Sequence, residues 1–293
     1  MYASATRSTP RRRLVGAAAL CALVAAPLAA PLAAQTPAPP APDTGTHAPL
    51  LLPQDAWIGA GFVVAAVGLW PLDKRLAEDI QGRRPQTNQF LHHLATDVRL
   101  IAQPGSLLIG GTFYAVGRAT KQRDLADLGL HGLEAIFVGG ATSTVIKGLA
   151  GRARPYLDIT NPRDFGFGRG FGGGDHSSFP SGHTTAAFAA AATVTSESRR
   201  WWPHQTWWVA PLMYGGATMV GVSRMYDNKH WASDVAVGAM IGTFAGLKVV
   251  RYHHHTNPNN RFDKWLLGAR VVDDGAGGRA LVLYVTPNPG EQR

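Results

Sequence analysis

The sequence is poor in cysteine, in charge and in long uninterrupted apolar runs. Its single cysteine, Cys21, lies in an apolar N-terminal segment. A chain that loses this segment can form neither a disulfide nor a cysteine-ligated metal site. Charged residues make up only 16% of the chain. Outside the N-terminal segment no run of Lys and Arg alternates with aromatic residues, which argues against nucleic acid as a partner.

The first 34 residues have the pattern of an export signal. Arginines between residues 7 and 13 precede an apolar run from Leu14 to Leu32, and small residues follow up to Ala34. We interpret residues 1–34 as a signal peptide, with an uncleaved membrane anchor as the alternative. Without the four leader arginines the net charge falls from +9 to +5, which suits anionic ligands without requiring them. Residues 35–52 are rich in Pro and Ala and are predicted to be a disordered tether.

The remaining apolar segments predict an all-α fold, a helical bundle of about six core helices over residues 53–252. These segments are too long for typical strands and are rich in Ala, Gly, Leu and Val. They cover residues 56–70, 87–118, 125–150, 183–197, 206–222 and 232–250. Small residues, including Gly238, Gly242 and Gly246, recur at a spacing that lets helices pack closely. Residues 253–293 are predicted to be a polar tail that includes His253–His255, with a possible short β-hairpin from 269–272 and 279–286.

The apolar runs favour an exported protein that does not cross the membrane. Most are roughly 14–18 residues long, below the length of about 20 that a span requires. Mean hydropathy is only −0.04, and His131 and Glu134 interrupt one run. We therefore expect a periplasmic or cell-envelope protein, soluble or peripherally attached rather than integral, with membrane association possible.

Three motifs between residues 147 and 234 carry the chemistry. They are Lys147-x6-Arg154-Pro155, Pro180-Ser181-Gly182-His183 and Ser223-Arg224-x5-His230-x3-Asp234. A phosphate dianion needs several charge-assisted donors, and Lys147, Arg154 and Arg224 can supply them. Any one of these cations alone would be read as a solvated residue at a helix end.

The second and third motifs add two histidines and an anion site. Ser181 can cap a helix whose first amides bind an anion, and Gly182 permits close approach of the backbone. His183 would then stand where it can protonate a leaving oxygen. His230 and Asp234 are four residues apart and share a helix face, so the carboxylate can fix the imidazole tautomer and leave the other nitrogen free to attack. Standing alone, they would be a structural His–Asp pair.

A glycine-rich segment, residues 156–179, separates the first two motifs and is predicted to be an active-site rim. It lacks the Gly-Lys-Ser/Thr ending of a nucleotide-binding P-loop. Arg169 on this segment could reach a phosphate. Arg152, two residues before Arg154, is interpreted as a decoy.

The three motifs match, at every defined position, the pattern K-x6-RP, PSGH and SR-x5-H-x3-D. In this respect the sequence resembles the type 2 phosphatidic acid phosphatase / vanadium haloperoxidase superfamily over about residues 125–250. The resemblance implies an all-α bundle and a phosphatase that needs no metal and no cofactor. It implies that phosphate is bound by Lys147, Arg154, Ser181, Gly182 and Arg224. It further implies that His183 is the general acid, that His230 is the nucleophile forming a phosphohistidine, and that Asp234 orients His230.

The expected function is a phosphatase of the cell envelope that hydrolyses a phosphate monoester or a lipid (di)phosphate, with orthovanadate as an inhibitor. A vanadium haloperoxidase, with vanadate as the cofactor in the same pocket, is one alternative. A phosphotransferase using the same phosphohistidine and a non-catalytic envelope protein are others. A lipid substrate would need an apolar groove, and the candidate residues for its lining are Trp201, Trp202, Trp207 and Trp208.

Overall fold

The structure, a computed structural model, describes residues 48–257 and the segments 270–273 and 279–282. Within these residues the chain forms nine α-helices followed by two short strands. The helices are α1 Pro53–Leu69, α2 Asp73–Gln81, α3 Arg83–Thr87, α4 Gln89–Leu100, α5 Ser106–Thr120, α6 Arg123–Ala150, α7 Gly182–Trp201, α8 Thr206–Tyr226 and α9 Ala232–Arg251. The predicted all-α bundle is confirmed. The predicted signal peptide and residues 35–47 of the predicted tether lie outside the described residues.

Helix α7 lies at the centre of the bundle and packs against α6, α8 and α9. Gly238, Gly242 and Gly246 recur at every fourth residue of α9 and face α7. A Cβ atom at Gly242 would lie 2.2 Å from the carbonyl oxygen of Thr185, and one at Gly246 would lie 2.6 Å from that of Ala189. Larger residues would push the two helices apart, so this spacing does permit close packing, as predicted. The close contact holds the N-terminal ends of α7 and α9 side by side.

The core between these helices is made mainly of small side chains. One buried cluster joins α6, α7 and α9, and it consists of Ala135, Ile136, Ala186, Ala189, Ala245 and Val249. Small residues leave little room between the helices, so the positions of the helix ends are set by backbone contact rather than by interlocking large side chains. The positions of these helix ends matter because the predicted site residues lie there.

The predicted helix 87–118 is two helices in the structure. Gln103 has an extended backbone (φ −152°, ψ 125°) and is followed by Pro104, so the chain breaks between α4 and α5. Proline disfavours helical geometry in the residue before it, which explains the break. Helices α2 and α3, between residues 73 and 87, were not predicted because they are short and polar.

The described C-terminal strands are β1 Arg270–Asp273 and β2 Arg279–Val282. They pair antiparallel, with Arg270 opposite Val282 and Asp273 opposite Arg279. They overlap the two segments expected to form a hairpin.

The expectation of a soluble or peripherally attached protein is wrong. Three helical segments are long and apolar enough to cross a membrane: Pro53–Gln81, Arg123–Ala150 and Ala232–Thr256, of 29, 28 and 25 residues. Only 6% of the most apolar stretch of the first segment is buried inside the bundle. An apolar helix surface that the protein leaves uncovered is suited to contact with lipid.

The polar residues that interrupt the second of these segments explain why the sequence did not indicate a membrane span there. His131 is fully buried and bonds to Glu197 on α7, and Glu134 bonds to His253 just beyond α9. Ionisable residues in membrane helices commonly face the bundle interior and pair with one another. Counting uninterrupted apolar residues therefore underestimated the length of the segment that could cross a membrane.

Candidate active site

The ends of three helices bring the predicted motifs together. Lys147 lies in the last turn of α6, and its ammonium group donates to the carbonyl oxygens of Ser177 and Pro180, both at 2.7 Å. The Ser181 amide, at the start of α7, donates to the carbonyl oxygen of Asp234 at 3.1 Å, in the first turn of α9. Lys147 and the second and third motifs therefore meet at one end of the bundle.

The imidazole of His230 is held by a backbone carbonyl. Its Nδ1 lies 2.6 Å from the carbonyl oxygen of Ser178, an atom that can only accept a hydrogen bond. Nδ1 therefore carries the proton, and Nε2 presents a lone pair. Among the described residues, Nε2 has no hydrogen-bond partner. This is the tautomer that a nucleophilic histidine requires.

Asp234 acts on His230 less directly than expected. Its Oδ2 lies 3.8 Å from His230 Nδ1, beyond hydrogen-bond length. The same oxygen accepts from the Ser178 hydroxyl at 2.5 Å and from the Trp231 amide at 2.9 Å. Asp234 thus holds Ser178, whose carbonyl orients His230. It also holds Trp231, the residue that follows His230.

Arg152, which we expected not to belong to the site, is the centre of a buried ion-pair network with Asp73 and Asp234, here called the clamp. Its guanidinium is fully buried and donates to Asp234 Oδ1 at 2.5 Å and to Asp73 Oδ2 at 2.7 Å. The Asp73 carboxylate also accepts from the amide and hydroxyl of Ser233, at 2.9 and 2.6 Å. The guanidinium lies 5.0–5.3 Å from the ring centres of Trp70, Phe165 and Trp231. The clamp therefore ties α2 to the start of α9 and holds Asp234 in place.

The two motif arginines keep donors available for an anion. Arg154 donates from Nη2 to the Ser177 hydroxyl at 2.9 Å, and Arg224 donates from Nη1 to Asp227 Oδ2 at 2.6 Å. The Nε atoms of both arginines are buried and, among the described residues, have no hydrogen-bond partner. A buried donor without a partner is costly, and an oxyanion between the two guanidinium groups would satisfy both.

The structure adds Arg99 on α4 to this charged group. Its guanidinium lies 3.3 Å from the Asp227 carboxylate that also binds Arg224. Arg99 is more than a hundred residues from Arg224 and belongs to no motif. No pattern in the sequence could have identified it.

Both histidines of the site are neutral at neutral pH. Burial lowers the pKa of His230 to about 4, reinforced by the Lys147 and Arg154 cations and opposed by Asp234. Burial, with the nearby Arg224 and His230, lowers the pKa of His183 to about 4 as well. A neutral His230 presents a lone pair, whereas His183 needs an added negative charge nearby before it holds a proton.

Ser181 and Gly182 lie where the second motif placed them, with one difference. The Ser181 hydroxyl makes no bond to a backbone amide of α7, and instead accepts from the Thr184 hydroxyl at 2.8 Å. The position of a Cβ atom at Gly182 is open space. The first amides of α7 have no acceptor within the helix and can therefore face an anion.

Comparison with known proteins agrees with this arrangement. A family model described as the PAP2 superfamily matches residues 129–258, which include all three motifs. Residues 129–258 of the 293-residue chain therefore match the PAP2 superfamily. The predicted resemblance is therefore confirmed over these residues.

Two of the similar proteins have names that describe a lipid phosphatase. A lipid A 1-phosphatase of Porphyromonas gingivalis is 40% identical over 70 residues, which are 24% of this chain and 15% of that relative. A structure described as the first transmembrane PAP2 type phosphatidylglycerolphosphate phosphatase, from Bacillus subtilis, has a TM-score of 0.54 and 19% identity. The match covers 72% of this chain and all of that one. LpxE of Aquifex aeolicus has a TM-score of 0.45 and 21% identity, over 62% and 96% of the two chains. The Bacillus protein, which is described as transmembrane, shares the fold of this chain.

Other candidates from the sequence have different contacts or positions in the structure. Arg169 pairs with Asp164 at 3.0 Å and with His176. The tryptophans proposed to line a lipid groove begin at Trp201, at the opposite end of α7 from His183. At 1.5 Å per residue this distance is about 27 Å, too far to line a groove beside the histidine.

Proposed function

We propose that the protein is a metal-independent phosphatase of the cell-envelope membrane that removes phosphate from a lipid phosphate through a phosphohistidine. The observation that carries this proposal is the pairing of a nucleophile with an anion site. His230 presents an Nε2 lone pair, and the Arg154 and Arg224 Nε donors beside it are buried without a partner among the described residues. A tetrahedral oxyanion matches both.

In the first step, Nε2 of His230 attacks the phosphorus atom and the bond from phosphorus to the leaving oxygen breaks. The arginines, Lys147 and the first amides of α7 hold the phosphoryl oxygens as the charge redistributes. The leaving oxygen takes a proton from His183. The dianionic phosphate raises the pKa of this imidazole when it binds, because an opposite charge favours the protonated form.

In the second step, His183 takes a proton from water, and the resulting hydroxide attacks the phosphorus. The bond from phosphorus to Nε2 breaks, which releases phosphate and restores neutral His230. Throughout the cycle the Ser178 carbonyl holds Nδ1, and Asp234 holds Ser178. The ring can therefore gain and lose the phosphoryl group without turning.

A lipid substrate is favoured by the position of the site. Lys147 and Asp234 lie in the last and first turns of segments able to span a membrane. A phosphate bound between them would lie near a membrane surface, where lipid head groups are. The glycine-rich loop at the same end exposes 89% of Phe167 and 67% of Phe171, and aromatic rings are typical of the membrane interface.

The test is hydrolysis by the full-length protein, purified in detergent, with EDTA present. The substrates are phosphatidic acid, phosphatidylglycerol phosphate, a lipid A phosphate and a soluble aryl phosphate. His230→Ala should lower kcat on the order of a thousandfold or more, because the nucleophile is removed. The control is His93→Ala, since His93 is exposed on α4.

Activity that resists EDTA, is blocked by orthovanadate and disappears in His230→Ala, but not in His93→Ala, would support the proposal. Faster turnover of the aryl phosphate than of every lipid would refute the lipid assignment alone. Unchanged activity in His230→Ala would refute the phosphohistidine.

A further inference from the structure

A second cluster of ionisable side chains lies at the far end of the same three helices. It consists of His131 on α6, Glu197 on α7 and His254 just beyond α9. His131 Nδ1 lies 2.7 Å from Glu197 Oε1, and His254 Nε2 lies 2.9 Å from the same oxygen. His131 and Lys147 are 16 residues apart on α6, about 24 Å along the helix axis, so the cluster is separate from the active site.

No pattern in the sequence predicts this cluster. His253–His255 had been interpreted as part of a polar tail, because three adjacent residues cannot converge on one ion. In the structure a wide helical turn, Tyr252–Thr256, follows α9 and directs His253 and His254 into the bundle. Each then meets a residue from another helix, so the convergence is between helices rather than within the tripeptide.

No placement of protons satisfies every contact of His254. Its Nε2 lies 2.9 Å from the Glu197 carboxylate and 2.6 Å from Arg200 Nη1, which is a donor. With a proton on Nε2, the ring can donate to the Glu197 carboxylate, but its N–H then faces an N–H group of Arg200. Without that proton, Nε2 can accept from Arg200, but its lone pair then faces a carboxylate oxygen of Glu197. A cation between the imidazole and the carboxylate would be bound by a lone pair from each, and Arg200 would then give up its contact with His254.

The surroundings also favour a cation. Glu197 and His131 are 0% and 1% exposed, and His131 Nε2 is buried without a hydrogen-bond partner among the described residues. Asp124 and Asp127, in the first turns of α6, are close enough to interact electrostatically with Glu197. Arg200 retains its own bond to Glu197 Oε2 at 2.8 Å and has a 40% exposed side chain, so it can move aside.

The donor set and its spacing fit a transition metal. The three candidate ligand atoms all lie within 4.8 Å of one another. The ligands of a tetrahedral zinc ion, at bond lengths of about 2.0–2.2 Å, stand about 3.3 Å apart. The observed separations bracket this value, so small side-chain movements would complete the site. Two imidazoles and a carboxylate are donors that zinc prefers, and they leave a fourth position for water.

Neighbouring residues hold the first histidine in place. The His253 ring stacks on the His131 ring, with centroids 4.4 Å apart and planes 15° apart. His253 Nε2 in turn lies 2.5 Å from Glu134 Oε2. Residues around metal ligands commonly fix their orientation in this way.

We propose that His131, Glu197 and His254 form a binding site for a divalent transition-metal ion of the zinc class. The ion would join α6, α7 and the end of α9 at the bundle end opposite the active site. Its role is to hold the helix ends together and not to take part in phosphate chemistry. The proposal does not depend on the phosphatase assignment.

The test uses full-length protein in detergent, purified with a tag that contains no histidine and stripped of metal by a chelator. Zinc or cobalt is added at one equivalent, and bound metal per chain is measured after gel filtration. Wild type and His255→Ala should each retain about one ion, because His255 is exposed and outside the cluster. Glu197→Gln and His131→Gln should weaken binding at least about tenfold. His230→Ala should bind as wild type does, which excludes the active-site histidines as ligands.

Cobalt absorption and thermal stability provide two further tests. A saturable tetrahedral spectrum at one equivalent in wild type supports the site, as does a thermal midpoint that rises with zinc in wild type but not in Glu197→Gln. Wild type that shows no such spectrum and binds no more metal than Glu197→Gln would overturn the proposal. The cluster would then be an ion-pair network held by protons alone.

Discussion

Replacing Arg152 with glutamine should destabilise the protein severely, although Arg152 touches no substrate. Its side chain is 0% exposed and bonds to two carboxylates, Asp73 and Asp234, which are themselves 0% exposed. Removing one partner of a buried ion pair costs about 3–5 kcal/mol, because a charge is left unpaired. Here two carboxylates lose the same partner, so we expect the upper end, about 5 kcal/mol.

That loss is large compared with the stability of a typical folded domain, about 5–15 kcal/mol. For a domain of about 200 residues, each kcal/mol corresponds to about 2–4 °C in the thermal midpoint. Arg152→Gln should therefore lower the midpoint by about 10–20 °C, followed by tryptophan fluorescence in detergent. In the folded fraction kcat should also fall, by up to about a hundredfold, because Asp234 no longer fixes Ser178 and hence His230.

A double-mutant cycle identifies the pairing as the cause. Asp73→Asn removes one of the two orphaned carboxylates, so Asp73→Asn/Arg152→Gln should be more stable than the sum of the single effects, by about 1–3 kcal/mol. Arg163→Gln is the matched control, because Arg163 lies on the same loop and is exposed. If Arg152→Gln melted within about 2 °C of Arg163→Gln, or if the double variant were strictly additive, the clamp would not have the role assigned to it.

Two further predictions follow from the site and the fold. Because burial lowers the pKa of His230 to about 4, the acid limb of kcat/KM for an aryl phosphate should lie near pH 4, where the ring gains a proton and loses its lone pair. An acid limb centred near the ordinary histidine pKa of about 6.5 would contradict the burial argument. Separately, the protein should stay in the membrane pellet after a high-pH carbonate wash, judged by immunoblot, because three segments can span the bilayer; release into the supernatant would instead indicate peripheral attachment.

The parts of the fold that depend on local pattern could be predicted from the sequence. The apolar segments near α6, α7 and α9 indicated helices. The glycines at every fourth residue of α9 indicated close packing. The break before Pro104 carried a local signal too, since proline disfavours a helical residue before it. Its significance was missed because the apolar pattern continues on both sides of the break.

Membrane insertion could not be read from run length alone. His131 and Glu134 ended the apparent apolar run, yet their partners Glu197 and His253 lie on other elements. Whether a polar residue ends a membrane segment depends on whether a neighbouring helix supplies a partner. That information is tertiary, and it resides in contacts between residues 66 and 119 positions apart.

Predicting the site likewise requires both local and tertiary information. The motifs supply groups whose chemistry is visible in their residue types: two histidines, cations and a helix start. The clamp supplies orientation, and its two carboxylates bind Arg152 across 79 and 82 residues. Arg152 and Arg154 are two positions apart, so spacing alone cannot show that one is enclosed by carboxylates and rings while the other keeps a donor available. A chain with every motif residue but without Asp73 would retain the phosphate donors and lose part of the support for Asp234. Its defect would then lie in kcat rather than in substrate affinity, because the donors that bind the ground state would be unchanged.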